Sequence, residues 1–380
     1  MRTFSKLVAA ALILGTVMTA GGAPKDDIAK VDKNMAIKNV STRNIKWYDP
    51  AEAPFRLSGL NWFKENKLYR RLPKIEGIPD GVERLAYCTT AVTVGFKTDS
   101  SRILVKAKLA KSIASRSSWN MSGRGANGFD LYRGGPGRWY TVGAGGFVGD
   151  IATLYSRTGK QEMSEFLMNF PLYNGVQSVQ IGLDEGSQIL PPTPYASTKR
   201  IVAYGGSVMQ GAAASRPGRA FMNIIGRHFN LEVVNLGFSG SSRLEPIMAQ
   251  LTAEVENPAL VIVEGDRNAG WKRVRDLEPD FIAAIRKKHP GVPIVVMQGN
   301  PWWEPDPNRP KIVAEQKAFM AKLQPNDPDL YWWDCSDFIG PDHAECLVDG
   351  KHPSDLGFQR MVDHMIPLMT PILKKYGVIK

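Results

Sequence analysis

The sequence predicts an antiparallel β-sandwich or jelly-roll domain followed by an α/β domain built on a parallel sheet. Short alternating apolar runs fill the first half, and continuous β-rich runs alternate with helix-like stretches in the second. The 380 residues, 43% of them hydrophobic, are too many for one compact core and too apolar for a disordered chain. We therefore predict domains at residues 45–190 and 199–378, after a signal peptide at residues 1–23.

The first domain is predicted from runs in which apolar and polar residues alternate. These runs lie at Ala91–Lys97, Ile103–Leu109 and Val176–Leu183, between clusters of Gly, Asn, Ser and Pro. A period of two places the apolar side chains on one face of a strand, as in a sandwich. The segment Leu190–Pro194 carries three prolines and predicts a stiff extended hinge, because proline fixes its own φ and disfavours helix before it.

Beyond Lys199 strands alternate with helices, which is the pattern of a parallel sheet with helical cover. The functional crevice of such a sheet lies beyond the carboxyl ends of its strands. The predicted strands lie at Ile201–Tyr204, Val233–Leu236, Leu260–Val263, Ile294–Met297 and Leu330–Asp334. The predicted helices lie at Ala220–Phe229, Leu244–Val255, Asp280–Lys288 and Ile312–Leu323, with a final helix that starts from Ser354 as N-cap and runs toward Lys374.

The amino terminus has the pattern of a secretion signal. Arg2 and Lys6 precede an uncharged run from Leu7 to Val17, and small residues follow before Pro24. This run is shorter than the roughly 20 residues that span a bilayer. We expect cleavage and export to the periplasm or the medium, without membrane insertion afterwards; an uncleaved membrane tether is the alternative.

Charge and cysteine content limit the partners that we expect. The net charge of +11 comes from basic residues scattered among acidic ones, which favours a role in solubility over nucleic-acid binding. Three cysteines are too few for a disulfide scaffold, but Cys335 and Cys346 are close enough in sequence to form one bridge after export. A zinc site that adds His343 or His352 would lack a Cys-x-x-Cys pair, so we expect no metal.

Polar groups follow the predicted strands at the edge where chemistry is expected. Ser207 lies in a glycine-rich turn after the first strand, Gly240 follows the second and Asn268 the third, while Asp349 and His352 follow the fifth. An imidazole that takes the proton of a serine hydroxyl, and a carboxylate that orients the imidazole, are the parts needed for acyl transfer. Backbone N–H groups of Ser207 and Gly240 and the Asn268 amide would stabilise the oxyanion.

These blocks resemble, in order, those of the SGNH (GDSL-like) hydrolase superfamily. Gly128–Tyr132, which reads Gly-Phe-Asp-Leu-Tyr, resembles the Gly-x-Asp-Leu-Tyr signature of a β-rich N-terminal domain in one bacterial branch. The resemblance implies a three-layer α/β/α, flavodoxin-like catalytic domain without a cofactor. It implies the catalytic residues Ser207, Asp349 and His352, and the oxyanion hole Ser207, Gly240 and Asn268. The nucleophile block here reads Gly-Gly-Ser rather than Gly-Asp-Ser.

The resemblance and the secretion signal together predict an exported serine esterase. Members of the superfamily include esterases, lipases, thioesterases and carbohydrate deacetylases. We predict removal of small acyl groups, such as acetyl, from a small-molecule or polysaccharide ester. A lipase or thioesterase for longer acyl chains is one alternative, and a non-catalytic glycan-binding protein on a degenerate hydrolase scaffold is another.

A few further positions have two interpretations each. Trp302 and Trp303 follow the fourth strand, where they would stack on sugar rings or pack against the lip of the site. Asp266 and Arg267 would contact substrate or form a solvated ion pair. Asp130, in the Gly-x-Asp-Leu-Tyr motif, is expected in a structural turn.

Overall fold

The computed structural model describes residues 32, 40–110, 120–145, 147, 150–299 and 306–380. The predicted signal peptide, residues 1–23, lies outside the described residues, as do Trp302 and Trp303. Residues 40–380 form one compact unit. In the described part of the chain, no helix is both long enough and apolar enough to cross a membrane.

The amino-terminal part is β-rich and its strands are antiparallel, as predicted. Its strands are β1 Ile45–Tyr48, β2 Arg56–Ser58, β3 Thr93–Thr98, β4 Arg102–Leu109, β5 Phe129–Gly135, β6 Arg138–Gly145, β7 Ile151–Ser156, β8 Ser164–Asn169, β9 Val176–Asp184 and β10 Ile189–Leu190. One sheet has the order β1-β9-β4-β7, and the other has the order β10-β3-β8-β5-β6 with β2 beside β3. Among the described residues of this part, two short helices lie between β2 and β3, α1 Phe63–Asn66 and α2 Asp80–Leu85, and a third, α3 Gly123–Asn127, lies between β4 and β5.

The two antiparallel sheets enclose one apolar core. Val94 and Phe96 of β3 and Ile103 and Val105 of β4 are fully buried. They belong to one cluster although the two strands lie in different sheets. The period-two alternation therefore directs one face of each sheet to a shared interior, which is the packing of a sandwich.

The carboxy-terminal part is a parallel sheet between helices. Its strands are β11 Arg200–Gly205, β12 Val233–Gly237, β13 Pro258–Val263, β14 Ile294–Met297 and β15 Leu330–Trp333. Its helices are α4 Ser207–Gln210, α5 Phe221–Phe229, α6 Pro246–Ala253, α7 Asp266–Lys288, α8 Arg309–Leu323 and α9 Asp355–Lys375. The strand order is β12-β11-β13-β14-β15, with every pairing parallel. This is the flavodoxin-like order, so the predicted fold class is confirmed.

Both faces of the parallel sheet are covered, which explains the continuous apolar runs of its strands. Ile201 and Ala203 of β11 pack into the core cluster that includes residues of α5 and α9. Val202 and Tyr204 face the opposite side, in the cluster with residues of α6, α7 and α8. Successive side chains of a strand point to opposite faces, so a strand between two helical layers must be apolar throughout.

Two details differ from the sequence predictions. Helix α7 begins at Asp266 rather than Asp280, and Gly270 interrupts its regular backbone with φ of 74°. Its first turns are polar because they lie at the rim of the candidate site, so they show no apolar helical period. The bridge between Cys335 and Cys346 is absent: their buried sulfurs lie 3.6 Å and 3.5 Å from backbone carbonyl oxygens instead.

Candidate active site

The candidate nucleophile lies where the strand order reverses around β11. Strand β11 ends at Gly205 and helix α4 begins at Ser207, so the serine side chain projects from the carboxyl edge of the sheet. Oγ of Ser207 lies 2.8 Å from Nε2 of His352. The serine and the imidazole are 145 residues apart in sequence and in hydrogen-bond contact in space.

The imidazole is held from its other side by a carboxylate. Nδ1 of His352 lies 2.6 Å from Oδ2 of Asp349. The side chain of Asp349 is only 2% exposed and that of His352 is 17% exposed. With Nδ1 donating to the carboxylate, Nε2 is left as the acceptor for the hydroxyl proton of Ser207. The structure thus brings the three predicted catalytic residues into one hydrogen-bonded chain.

Asp349 is surrounded by N–H donors. Its Oδ1 accepts from the backbone of His352 at 2.7 Å and of Lys351 at 3.0 Å. Its Oδ2 also accepts from Nδ2 of Asn120 at 3.1 Å. Burial acts to raise the pKa of Asp349, but the hydrogen bonds from His352 and Asn120 outweigh it and keep the pKa below its ordinary value. The carboxylate is therefore ionised at neutral pH and available to an imidazolium.

The predicted oxyanion donors line the same cavity as Ser207. A Cβ atom at position 206 would lie 2.3 Å from Nδ2 of Asn268, so Gly206 lets this amide approach the nucleophile turn. Gly240 has φ of 67°, a conformation that favours glycine, and a Cβ there would meet no atom within 4 Å. Gly240 thus leaves its side of the cavity open.

The cavity at Ser207 is small, and most of its described lining residues are polar or charged. Its volume is about 260 Å³. Val208 is the one aliphatic side chain among its described lining residues. The others are Ser207, Ser239, Gly240, Glu264, Arg267, Asn268, Lys351 and His352. Such a lining suits a small substrate group with hydrogen-bonding atoms.

Glu264 is a buried acid in this lining to which the sequence analysis gave no role. It is 3% exposed, and its Oε2 accepts from the backbone N–H of Gly206 at 3.1 Å. Burial, followed by the neighbouring charge of Asp266, raises the pKa of Glu264 to about 8. This carboxyl, which holds the residue before the nucleophile, therefore favours its protonated form more than an exposed glutamate does. In the sequence, the one feature that could have pointed to Glu264 as a site residue was its position directly before Gly265, at the end of the third strand.

Asp266 and Arg267 do not form the solvated pair that was one of the two interpretations. Asp266 is fully buried, forms an ion pair with Arg309 and accepts from the backbone N–H of Gly299. Arg267 lines the cavity and donates to the backbone oxygen of Gly299 at 3.0 Å. Asp266 therefore supports the rim of the site from beneath, while Arg267 forms part of the cavity wall.

The Gly-x-Asp-Leu-Tyr motif lies in strand β5 and not in a turn, so that expectation was wrong. Oδ2 of Asp130 accepts from the backbone N–H of Gly218 at 2.9 Å, and the hydroxyl of Tyr132 donates to the Gly218 oxygen at 3.2 Å. Nε of Arg216 lies 3.4 Å from the same Asp130 carboxylate. Gly218 and Arg216 follow the nucleophile helix, so the motif joins the β-rich part to the α/β part.

Arg71 makes a second connection between the two parts. Its side chain is 1% exposed and donates to the backbone oxygens of Asn235 at 2.9 Å and Gly237 at 2.8 Å, at the end of β12. It also donates to the carbonyl of Cys88 at 2.6 Å. Burial lowers the pKa of Arg71 to about 10, so it remains charged at neutral pH. The strand end that precedes Gly240 is thereby fixed from the β-rich side.

Metal ligation has no candidate cluster in the described ranges. Across those residues, no group of three or more His, Cys, Asp or Glu side chains is arranged to hold a metal ion. The ring nitrogens of His352 lie within hydrogen-bond distance of Ser207, Asp349 and Asn120.

Each of the two parts of the chain matches a known protein family. Residues 198–370 match the GDSL-like lipase/acylhydrolase family, and residues 45–189 match the GxDLY family, described as the N-terminus of SGNH-hydrolase-type esterases. The fold and these matches define an ester-hydrolysing enzyme of the acylhydrolase class. The carboxy-terminal part of the chain therefore matches the GDSL-like lipase/acylhydrolase family, and the amino-terminal part matches the GxDLY domain of SGNH-hydrolase-type esterases. The predicted superfamily is confirmed.

Solved structures with the same fold cover nearly all of the described chain. A structure assigned as a GDSL-like lipase from Bacteroides ovatus is 29% identical with a TM-score of 0.77, covering 87% of this chain and 98% of that one. The salicylyl-acyltransferase SsfX3 from a tetracycline biosynthetic pathway is 19% identical with a TM-score of 0.71 and the same coverage, 87% and 98%. A family two carbohydrate esterase from Cellvibrio japonicus is 12% identical with a TM-score of 0.58, again covering 87% and 98%. Among curated protein sequences, none matches the chain.

Proposed function

We propose that this enzyme is an exported serine esterase that removes small acyl groups, acetyl in particular, from carbohydrate. The observation that carries the proposal is the hydrogen-bonded chain from Ser207 through His352 to Asp349, with distances of 2.8 Å and 2.6 Å. These are the distances at which a base can take a hydroxyl proton while a carboxylate holds the base.

The proposed reaction proceeds through an acyl-enzyme. Oγ of Ser207 attacks the ester carbonyl carbon while Nε2 of His352 takes the hydroxyl proton. Backbone N–H groups of Ser207 and Gly240 and the Asn268 amide stabilise the oxyanion. The tetrahedral intermediate collapses, and the imidazolium gives its proton to the departing alcohol. Water then attacks the acyl-enzyme with His352 as base, which releases the acid and restores Ser207.

The size and polarity of the cavity support a short acyl group. A volume of about 260 Å³, with Val208 as the one aliphatic side chain among the described lining residues, gives a long acyl chain little aliphatic surface to contact there. Each buried CH₂ group of a chain would contribute about 0.8 kcal/mol if such a surface existed. A lipase or thioesterase for long acyl chains would need that surface, so we favour acetyl.

The carbohydrate part of the proposal is carried over from proteins of the same fold. Besides the Cellvibrio japonicus enzyme, they include a family two carbohydrate esterase from Clostridium thermocellum in complex with cellohexaose, with a TM-score of 0.54. An acetyl xylan esterase from Butyrivibrio proteoclasticus has a TM-score of 0.55. An exported enzyme would meet polysaccharide substrates, and the export itself is proposed from the signal-like residues 1–23.

Substrate profiling tests this proposal. We expect the enzyme to release acetate from acetylated xylan and to hydrolyse p-nitrophenyl acetate much faster than p-nitrophenyl palmitate. A fluorophosphonate probe should label one residue, which peptide mass mapping should identify as Ser207. Faster hydrolysis of the palmitate ester would instead support a lipase, and labelling at another serine would remove Ser207 as nucleophile.

A further inference from the structure

Asn120 reaches the candidate triad from the β-rich part of the chain. It lies between β4 and α3, and its Nδ2 atom lies 3.1 Å from Oδ2 of Asp349 and 3.2 Å from Nδ1 of His352. Nδ1 of His352 must carry a proton to donate to Asp349, so it cannot also accept from an amide N–H. The amide of Asn120 therefore donates to the carboxylate of Asp349.

The residues after Asn120 fix its position against the α/β part. The sulfur of Met121, which is 5% exposed, accepts from the backbone N–H of Ala213 at 2.7 Å. The hydroxyl of Ser122 donates to the backbone oxygen of Ser215 at 2.7 Å. The two contacted residues follow the helix that starts with Ser207. The segment that carries Asn120 is thus docked beside the nucleophile, so its amide is held in place before substrate binds.

With Asn120 in place, Asp349 has a full set of donors. Oδ1 accepts from the backbone of Lys351 and His352, and Oδ2 accepts from His352 and Asn120. Two donors on each oxygen leave the carboxylate one orientation, with Oδ2 directed at the imidazole. Three of the four donors come from the loop of the triad itself, and Asn120 is the one that comes from the β-rich part.

We infer that Asn120 is a positioning residue of the catalytic triad, through which the β-rich domain completes the active site. This inference rests on the proposed function, because it assigns Asn120 a role through Asp349 and His352. Its amide orients the carboxylate and spreads its negative charge, without touching the substrate. The GxDLY domain would then be part of the catalytic machinery as well as a neighbour that packs against it.

The pH dependence of kcat/KM can test this role, because it responds to the charges near His352. His352 faces Asp349 and Lys351 on its own loop, Ser207 on α4, the neutral Asn120, and Glu264 and Arg267 across the cavity. Asn120→Asp would place a second carboxylate beside Nδ1 at nearly unchanged shape. At the wild-type spacing of 3.1 Å the two carboxyls would compete for one proton, and once both are ionised the added negative charge stabilises the imidazolium, so the acid limb of kcat/KM should move upward.

The experiment compares Asn120→Ala and Asn120→Asp with wild type on p-nitrophenyl acetate. We expect Asn120→Ala to lower kcat about 10-fold, since one hydrogen bond to a charged group is lost, with little change in KM. Gln180→Ala, which removes an exposed amide from β9 of the same domain, should match wild type in both constants. Thermal unfolding of all variants reports whether the fold is retained.

Two results would overturn the inference. One is an unchanged kcat in Asn120→Ala together with an unmoved acid limb in Asn120→Asp. The other is a loss of kcat in Asn120→Ala that only parallels a loss of thermal stability, while Asn120→Asp keeps the wild-type pH profile. Retention of wild-type hydrolysis by Ser207→Ala is a different result, because it would remove the proposed function itself.

Discussion

The two parts of the chain each carry a short signature, but the signatures lie in opposite environments. Ser207 begins helix α4 just beyond the carboxyl end of strand β11 and lines a cavity. Asp130 stands inside strand β5 and is fully buried. Ser207 is in contact with an imidazole, whereas Asp130 is in contact with the backbone of Gly218 and the guanidinium of Arg216.

This contrast shows that a short polar motif can mark either a catalytic site or a contact that holds two parts of a protein together. A polar residue at a strand end has room for a substrate, and one within a buried strand must have its hydrogen bonds satisfied by the protein. A Cβ at position 218 would lie 2.3 Å from the ring of Tyr132, which fits a site built for the backbone of Gly218 rather than for a ligand. The motif in β5 therefore holds two parts of the protein together.

The largest effect is expected at the strand-end signature. Ser207→Ala should lower kcat for p-nitrophenyl acetate by at least about 10⁴-fold, because the nucleophilic oxygen is removed. Thermal stability should stay close to wild type, and the exposed Ser178→Ala should keep full activity. If Ser207→Ala retained wild-type hydrolysis, Ser207 would not be the nucleophile, and the signature at the strand end would not mark a catalytic site.

The second effect is expected at the buried signature and concerns stability. Asp130→Ala should lower the free energy of unfolding by about 3 kcal/mol, since the buried N–H of Gly218 and the buried amide of Asn169 lose their acceptor and Arg216 loses one of its carboxylate partners. Urea unfolding measures this, and kcat of the folded variant should stay close to wild type. Asp276→Ala, at an exposed carboxylate of α7, should change stability little. A large loss of kcat in Asp130→Ala without a loss of stability would contradict the assembly role.

The third effect is expected at Asn268, one of the predicted oxyanion donors. Asn268→Ala should lower kcat about 100-fold with little change in KM, because its amide is expected to act on the oxyanion of the transition state. Asn326→Ala, at an exposed position of the same part of the chain, serves as the control. A kcat within a few-fold of wild type would mean that the backbone N–H groups stabilise the oxyanion without the amide of Asn268.

The fourth effect is the pH dependence of stability from Glu264. Burial and then Asp266 raise its pKa from 4.5 to about 8 in the folded protein. The folded state thus holds this proton more tightly than the unfolded state, so the stabilisation is complete below about pH 4.5 and is lost as pH rises toward 8. Since Glu264→Gln has no such loss, its Tm minus that of wild type should increase over this range.

Glu278 provides a matched comparison for Glu264. Burial also raises its pKa to about 8, but its carboxylate accepts from Gln316 and not from the nucleophile turn. Glu278→Gln should show the same trend in Tm and leave kcat unchanged, whereas Glu264→Gln acts next to Ser207 and should alter kcat as well. A difference in Tm that stays constant with pH would contradict the raised pKa at either position.

Much of the fold was predictable from periodicity, and its exceptions have physical causes. The five parallel strands were predicted to within a few residues, because a strand covered on both faces is apolar throughout. Helix α7 was predicted too short, because its first turns line a polar rim. The placement of Asp130 in a turn was wrong, since a polar residue inside a buried strand has no periodic signal that distinguishes it from a turn residue.

The sequence by itself determined the fold class, the family and which residues to examine, since periodicity and the four blocks are local properties of the chain. Only the tertiary structure brought Ser207 to His352, buried Glu264 and Asp266, and left Cys335 and Cys346 as unbridged thiols. It also placed Asn120 beside Asp349, although the two are 229 residues apart in sequence. Contacts of this kind depend on how two independently patterned parts dock, and no short stretch of sequence encodes that geometry.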